Sequence, residues 1–85
     1  KDIGMYGTAE GYTLAVGGNS GLKAQIAKVV AEKIPAQEIP AIIHSILAYY
    51  RTHGKTKERL GETIDRLGLV NFIEETIPRQ YAKTE

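Results

Sequence analysis

The stretch from residue 11 to residue 21, Gly-Tyr-Thr-Leu-Ala-Val-Gly-Gly-Asn-Ser-Gly, constrains this chain more than any other. Tyr12, Leu14 and Val16 alternate with Thr13 and Ala15, the period-two pattern of a strand with one buried face. Gly17 and Gly18 then end the run, and Asn19 or Ser20 is placed to cap a helix by accepting a bond from its first free amides. Such a strand needs a neighbour, and a hairpin alone is marginal in water and must pack on something. Ile3 and Met5, two apart in Lys-Asp-Ile-Gly-Met-Tyr-Gly, supply one, with residues 8–11 as the connector of a hairpin. Gly4 and Gly7 weaken that strand and mark a bulge or a close backbone approach.

The rest of the chain reads as helix. Leu22, Ile26, Val29, Val30 and Ile34 fall at helical spacing with Lys23, Lys28, Glu32 and Lys33 on the other side. Pro35 ends that helix by driving its predecessor out of the α region. A second helix runs from about Gln37 to His53 on Ile39, Ile42, Ile43, Ile46, Leu47 and Tyr50, with Pro40 in its first turn. Gly54 suits its left-handed end, and His53 sits where the helix dipole favours positive charge. A third helix spans residues 57–67, capped by Thr56, carried by Leu60, Ile64 and Leu67 and ended by Gly68. Residues 71–77 add one or two turns through Phe72, Ile73 and Ile77 before Pro78, and the polar residues 79–85 fray. The expected fold class is α+β, a short N-terminal β-hairpin packed on three to four helices. Residues 1–78 form one domain and residues 79–85 a polar tail.

Composition narrows the function classes. Eighty-five residues allow one modest core, with about 60–65% of the unfolded surface buried. A net charge of +1 is too small for a broad nucleic-acid face. No apolar run approaches the ~18–20 residues that span a bilayer, and no apolar segment of a signal peptide follows Lys1. The sequence has no cysteine, which removes disulfides, thiolate metal sites and cysteine nucleophiles and fits a reducing, cytoplasmic setting. Starting on Lys rather than Met, the chain is expected to be a processed product or a piece of something longer.

Three constellations invite chemistry. The turn at Gly17, Gly18 and Asn19 opens a helix, so its amides and dipole would suit an anion. Yet Gly21-Leu22-Lys23-Ala24 breaks the P-loop pattern, and the dinucleotide glycine spacing is missing. A tight turn between strand and helix is the better reading. The basic run Arg51, His53, Lys55, Lys57 and Arg59 suits an acidic partner, a phosphate or a carboxylated cofactor. As a helix-turn-helix it would set Glu58, Glu62 and Asp65 against phosphates, so a solvated loop fits better. His44 and His53, nine apart, do not share a helix face at metal-ligand spacing. Neither has a serine or cysteine partner. Glu62, Asp65, Glu74 and Glu75 fit solvated faces, and Tyr49 and Tyr50 cover the core edge. The residues thus offer no catalytic or metal set.

The order of motifs adds more. Asp2-Ile3-Gly4-x-x-Gly7 precedes Gly11-Tyr12-x-Leu14-x-Val16-Gly17-Gly18-Asn19. Ile34-Pro35-Ala36-Gln37-Glu38-Ile39-Pro40, Tyr50-Arg51, Glu58-Arg59-Leu60, Ile64-Asp65-Arg66-Leu67-Gly68-Leu69 and Phe72 follow. Together, over residues 2–77, they resemble the C-terminal part of the siroheme/[4Fe-4S] domains of nitrite and sulfite reductases. The resemblance implies an α+β unit of an enzyme that passes six electrons to sulfite or nitrite. Its siroheme iron would be joined to a [4Fe-4S] cluster through a shared cysteine thiolate. It also implies that the cluster cysteines precede this segment, so siroheme and cluster belong to the parent enzyme and none is expected on this chain alone. Gly17, Gly18 and Asn19 are the matching positions that the resemblance sets near the cofactor; Arg51 and Arg59 inherit no role. The implied partners are the remainder of the parent reductase and an electron-donor protein, with no membrane and no nucleic acid. The alternative is a stand-alone protein- or nucleic-acid-binding module. A small hydrolase would lack any nucleophile–base pair.

Overall fold

A computed structural model describes residues 3–17 and 28–83 of the chain. Three antiparallel strands, β1 (Ile3–Thr8), β2 (Gly11–Val16) and β3 (Lys28–Ile34), lie in the order β1-β2-β3. A 3-10 turn over Ala36–Glu38 leads into α1 (Ile39–His53), and α2 (Leu60–Leu67) and α3 (Leu69–Thr76) follow. The α+β class and the hairpin therefore hold. Thr8 closes the hairpin by donating its hydroxyl to the Gly11 carbonyl at 2.9 Å. From there the β1–β2 register runs without a break back to Ile3 opposite Val16.

The sheet has a third strand where the sequence pattern predicts the second half of a helix. Lys28–Ile34 is strand, and the earlier part of that predicted helix, with its proposed Asn19 or Ser20 cap, lies outside the described residues. The reason is tertiary. Leu14, Ala15 and Val16 are all buried, which a two-stranded ribbon cannot achieve, and the β-branched Val29, Val30 and Ile34 suit the second flank of β2. The register shifts twice between Tyr12 and Ala15, and Lys33 sits at φ 59°. These irregularities erase the period-two signal that would have identified β3.

One face of the sheet meets the helices. Leu14, Val16, Val30 and Ile34 join Ile42, Ile46, Tyr49, Leu60, Ile64 and Phe72 in a single core. The α1 stripe predicted from sequence thus faces inward, although Leu47 stays exposed. Tyr49, expected at the core edge, lies inside it, its ring edge-on to Phe72 at 5.0 Å. The third predicted helix begins three residues late, because Lys57 at φ 66° cannot be helical. Arg59 takes the cap position instead of Thr56, and the Glu62 carboxylate accepts its amide at 2.8 Å.

The expected fraying of the C-terminal residues does not hold at residues 79–83. The Glu32 amide donates to the Tyr81 carbonyl at 3.0 Å and the Lys83 amide to the Val30 carbonyl at 2.9 Å. Lys83 also reaches Glu32 at 3.2 Å. The tail therefore covers the outer edge of β3.

Candidate functional site

Gly17, the first of the three positions proposed for the site, follows the last residue of the central strand. Gly17 is buried directly after Val16 and adopts φ 87°, a conformation that favours glycine. Gly18 and Asn19, the other two positions proposed for the site, lie outside the described residues.

The basic run 51–59 is organised around a carboxylate. Glu58 turns inward, its side chain only 14% exposed, and its oxygens accept from Arg66 Nε and Nη2, each at 2.9 Å. The same carboxylate accepts from the Lys55 amide at 2.9 Å and from the Thr63 hydroxyl at 2.8 Å. The Arg66 guanidinium, followed by the Lys55 amide and the Thr63 hydroxyl, holds the Glu58 carboxyl at about 2, well below the usual range. Reciprocally, Glu58 raises the Arg66 pKa. Arg66 also donates from Nη2 to the His53 carbonyl at 2.7 Å, satisfying an open carbonyl of the last α1 turn. The Tyr50 hydroxyl donates to the Glu58 carbonyl.

This cluster binds α1, the connecting loop and α2 into one unit. Arg51, Lys55, Lys57 and Arg59 remain exposed around it, as a solvated loop would display them. Sequence reasoning missed the cluster because Arg66 is eight residues from Glu58. Only the late start of α2 brings the two together.

The histidines are not brought together. His44 is exposed on α1, while the His53 ring lies tilted at 52° against Tyr49 with ring centroids 4.6 Å apart and faces Glu75 at 3.7 Å. A shallow groove of about 280 Å³ runs past Ser45, Tyr49, Thr52, His53 and Glu75. The Tyr49 hydroxyl is buried and has no hydrogen-bond partner among the described residues. Asp65 pairs with Lys28 at 3.3 Å, joining α2 to β3. Glu74 and Glu75 lie on exposed faces.

Among the described residues no group of three or more histidine or acidic side chains could hold a metal ion. With no cysteine in the sequence, the donor set does not fit an iron–sulfur cluster, which is held by thiolates. No step through such a cluster can be derived from this chain. Nor is any helix among the described residues long and apolar enough to cross a membrane.

The family model described as the nitrite and sulphite reductase 4Fe-4S domain matches residues 1–84. A curated relative, an assimilatory-type sulfite reductase of Nitratidesulfovibrio vulgaris, is 33% identical over 69 residues, covering 81% of this chain and 32% of the relative. A nitrite reductase [NAD(P)H] of Emericella nidulans is 29% identical over 79 residues, covering 91% of this chain and 7% of the relative. The chain thus spans a third or less of the curated relatives it matches. No solved structure gives a significant match.

Proposed function

This chain belongs to the nitrite and sulphite reductase 4Fe-4S domain family, and on that premise we propose that it is the supporting part of a siroheme nitrite or sulfite reductase. One observation carries the reading: a family match from residue 1 to residue 84 in a sequence without a single thiolate ligand. In the parent enzyme, siroheme and cluster would pass electrons from an external donor to sulfite or nitrite. This chain contributes the sheet and helices that back the pocket. In this reading Gly17, Gly18 and Asn19 lie near the cofactor, because they follow the buried end of the central strand in sequence and glycine lets a ligand approach the backbone closely. The cluster cysteines come from the portion of the reductase outside these residues. That portion is the principal partner, and an electron-donor protein meets the complete enzyme in the cytoplasm.

The binding-module alternative draws little from the structure. Glu58, Glu62 and Glu75 are interleaved with the basic side chains of the 51–59 region, and the net charge is +1.

Two measurements test the proposal. An absorbance spectrum and iron assay of the purified chain should show a colourless, iron-free protein. The encoding gene should carry paired cysteine codons just upstream of the Lys1 codon. Tightly held siroheme on the chain alone, or an upstream sequence without cysteines, would defeat the reading.

A further inference from the structure

Charge is unevenly spread along this chain. Residues 51–59 hold Arg51, Lys55, Lys57 and Arg59 against Glu58 alone, a net +3. The other 76 residues, with seven cations and nine carboxylates, carry −2. The one carboxylate of the run is withdrawn from the surface, because Glu58 turns inward onto Arg66. Arg51, Lys55 and Lys57 stay exposed, and their charged groups make no ion pair or hydrogen bond among the described residues. Every other described lysine has a carboxylate beside it: Lys28 meets Asp65 at 3.3 Å, Lys33 meets Glu10 at 3.8 Å and Lys83 meets Glu32 at 3.2 Å.

The backbone that carries these cations is fixed. The Lys55 amide donates to the Glu58 carboxylate and the Glu58 amide to the Lys55 carbonyl, each at 2.9 Å, and the Tyr50 hydroxyl donates to the Glu58 carbonyl. Lys57 is held at φ 66°, where glycine or asparagine would cost less. Lys33, the other left-handed lysine, at least sets its ammonium against Glu10. Lys57 makes no such contact. Strain of this kind is kept where a residue serves something other than the fold.

We propose that this loop, with Arg51 in the last turn of α1, is the docking surface for a separate acidic protein, which meets it transiently through carboxylates placed against Arg51, Lys55 and Lys57. The inference does not depend on the cofactor reading above. A small anion fits less well. Neither the cleft beside Tyr49 nor the one lined by Ile73, Ile77 and Ala82 includes any of the three cations, so they are not gathered into a cradle there. A nucleic acid needs a broad cationic face, and this is a single loop in a chain of net charge +1. Permanent cover by another part of the same protein would take these lysines out of water, and lysine is depleted from the cores of lasting interfaces. A transient contact leaves them at a solvated rim, where such charges speed encounter and fix orientation. The fixed backbone lowers the cost of ordering the loop on contact.

Labelling and binding measurements on the complete product of its gene test the proposal. An amine-reactive acetylating reagent should modify Lys55 and Lys57 as fast as any exposed lysine. Protection of both in the protein alone would mean that the rest of the protein covers the loop, and overturns the proposal. Poly-L-glutamate serves as the acidic probe. At low ionic strength its affinity should fall about 2–5-fold for each of Arg51→Gln, Lys55→Gln and Lys57→Asn, and it should weaken as salt is added. Lys57→Asn should keep or raise the melting temperature, because asparagine accepts φ 66° more readily. A lower melting temperature would show that the lysine serves the fold, and overturns the proposal. Lys33→Asn, the same change at the other left-handed lysine, should leave the affinity unchanged; an equal loss there would reduce the effect to net charge and overturn it too. Tighter binding of a short DNA duplex than of poly-L-glutamate would make the occupant a nucleic acid. Loss of probe binding on adding inorganic phosphate at constant ionic strength would make it a small anion. Either result overturns the proposal.

Discussion

Glu58 is the residue on which the helical half turns. Its carboxylate meets Arg66, the Lys55 amide and the Thr63 hydroxyl at once, and these donors favour its charged form. A folded-state pKa of about 2, against 4.5 for the free group, ties folding to pH. Because the folded value is depressed, the contribution is complete above pH 4.5 and is lost as pH falls through the folded value near 2. Glu58→Gln keeps the shape and removes the charge, so the variant should be less stable at neutral pH. Its melting temperature should also fall less steeply than the wild type's on acidification through that window. Parallel curves for the two proteins would show that Glu58 is not the group titrating there.

At the scale of elements, glycines Gly54 and Gly68 end neighbouring helices for different reasons. The sequence suggests a left-handed residue at Gly54 and a helix end at Gly68, and of the two only Gly68 has a positive φ, 99° with ψ 132°. Gly54 is extended at φ −70° and is needed for space, since a Cβ there would lie 2.7 Å from the Tyr50 carbonyl oxygen and 2.9 Å from its ring. Gly54→Ala should therefore displace the Tyr50 ring and cost about 1–3 kcal/mol through overpacking. Gly68→Ala meets nothing within 4 Å and should cost about 1–3 kcal/mol through backbone strain alone. Asn, which often replaces glycine at helix ends, should not rescue position 68, because ψ 132° lies outside the left-handed helical region. Urea denaturation of the three variants checks both assignments; a Gly68→Asn protein as stable as wild type would reject the second.

The same scale explains what was legible. The α1 stripe and the alternation of β2 were readable because each element buries one regular face. The strand β3 was not. Val29, Val30 and Ile34 satisfy helical spacing by accident, and two register shifts hide the strand period. Tail docking was equally hidden, since the hydrogen bonds of residues 81 and 83 to β3 use backbone groups, which leave no side-chain pattern in the sequence. At the proposed site, the family motif order pointed to Gly17, Gly18 and Asn19, and only Gly17 falls among the described residues.

The whole molecule depends on one ring. Phe72 on α3 is fully buried, meets Tyr49 of α1 edge-on, and shares its core with Leu14, Val30 and Ile34 of the sheet. It therefore ties the C-terminal helix to α1 and to the sheet layer. A domain of 85 residues sits toward the low end of the ~5–15 kcal/mol typical of folded proteins. Phe72→Ala should cost about 3–5 kcal/mol, a large share of that margin, and would leave the Tyr49 ring without its edge contact. The urea midpoint should fall steeply while the slope of the transition stays the same, because the fold is weakened without becoming less compact. Phe72→Leu, which keeps most of the volume, should lose less than half as much. A reduced slope for Phe72→Ala would mean that the helices stay folded after the sheet opens, two units where the shared core argues for one. Under the proposed function the expected single transition matters, since a supporting layer would hold a cofactor pocket in shape only if sheet and helices open together.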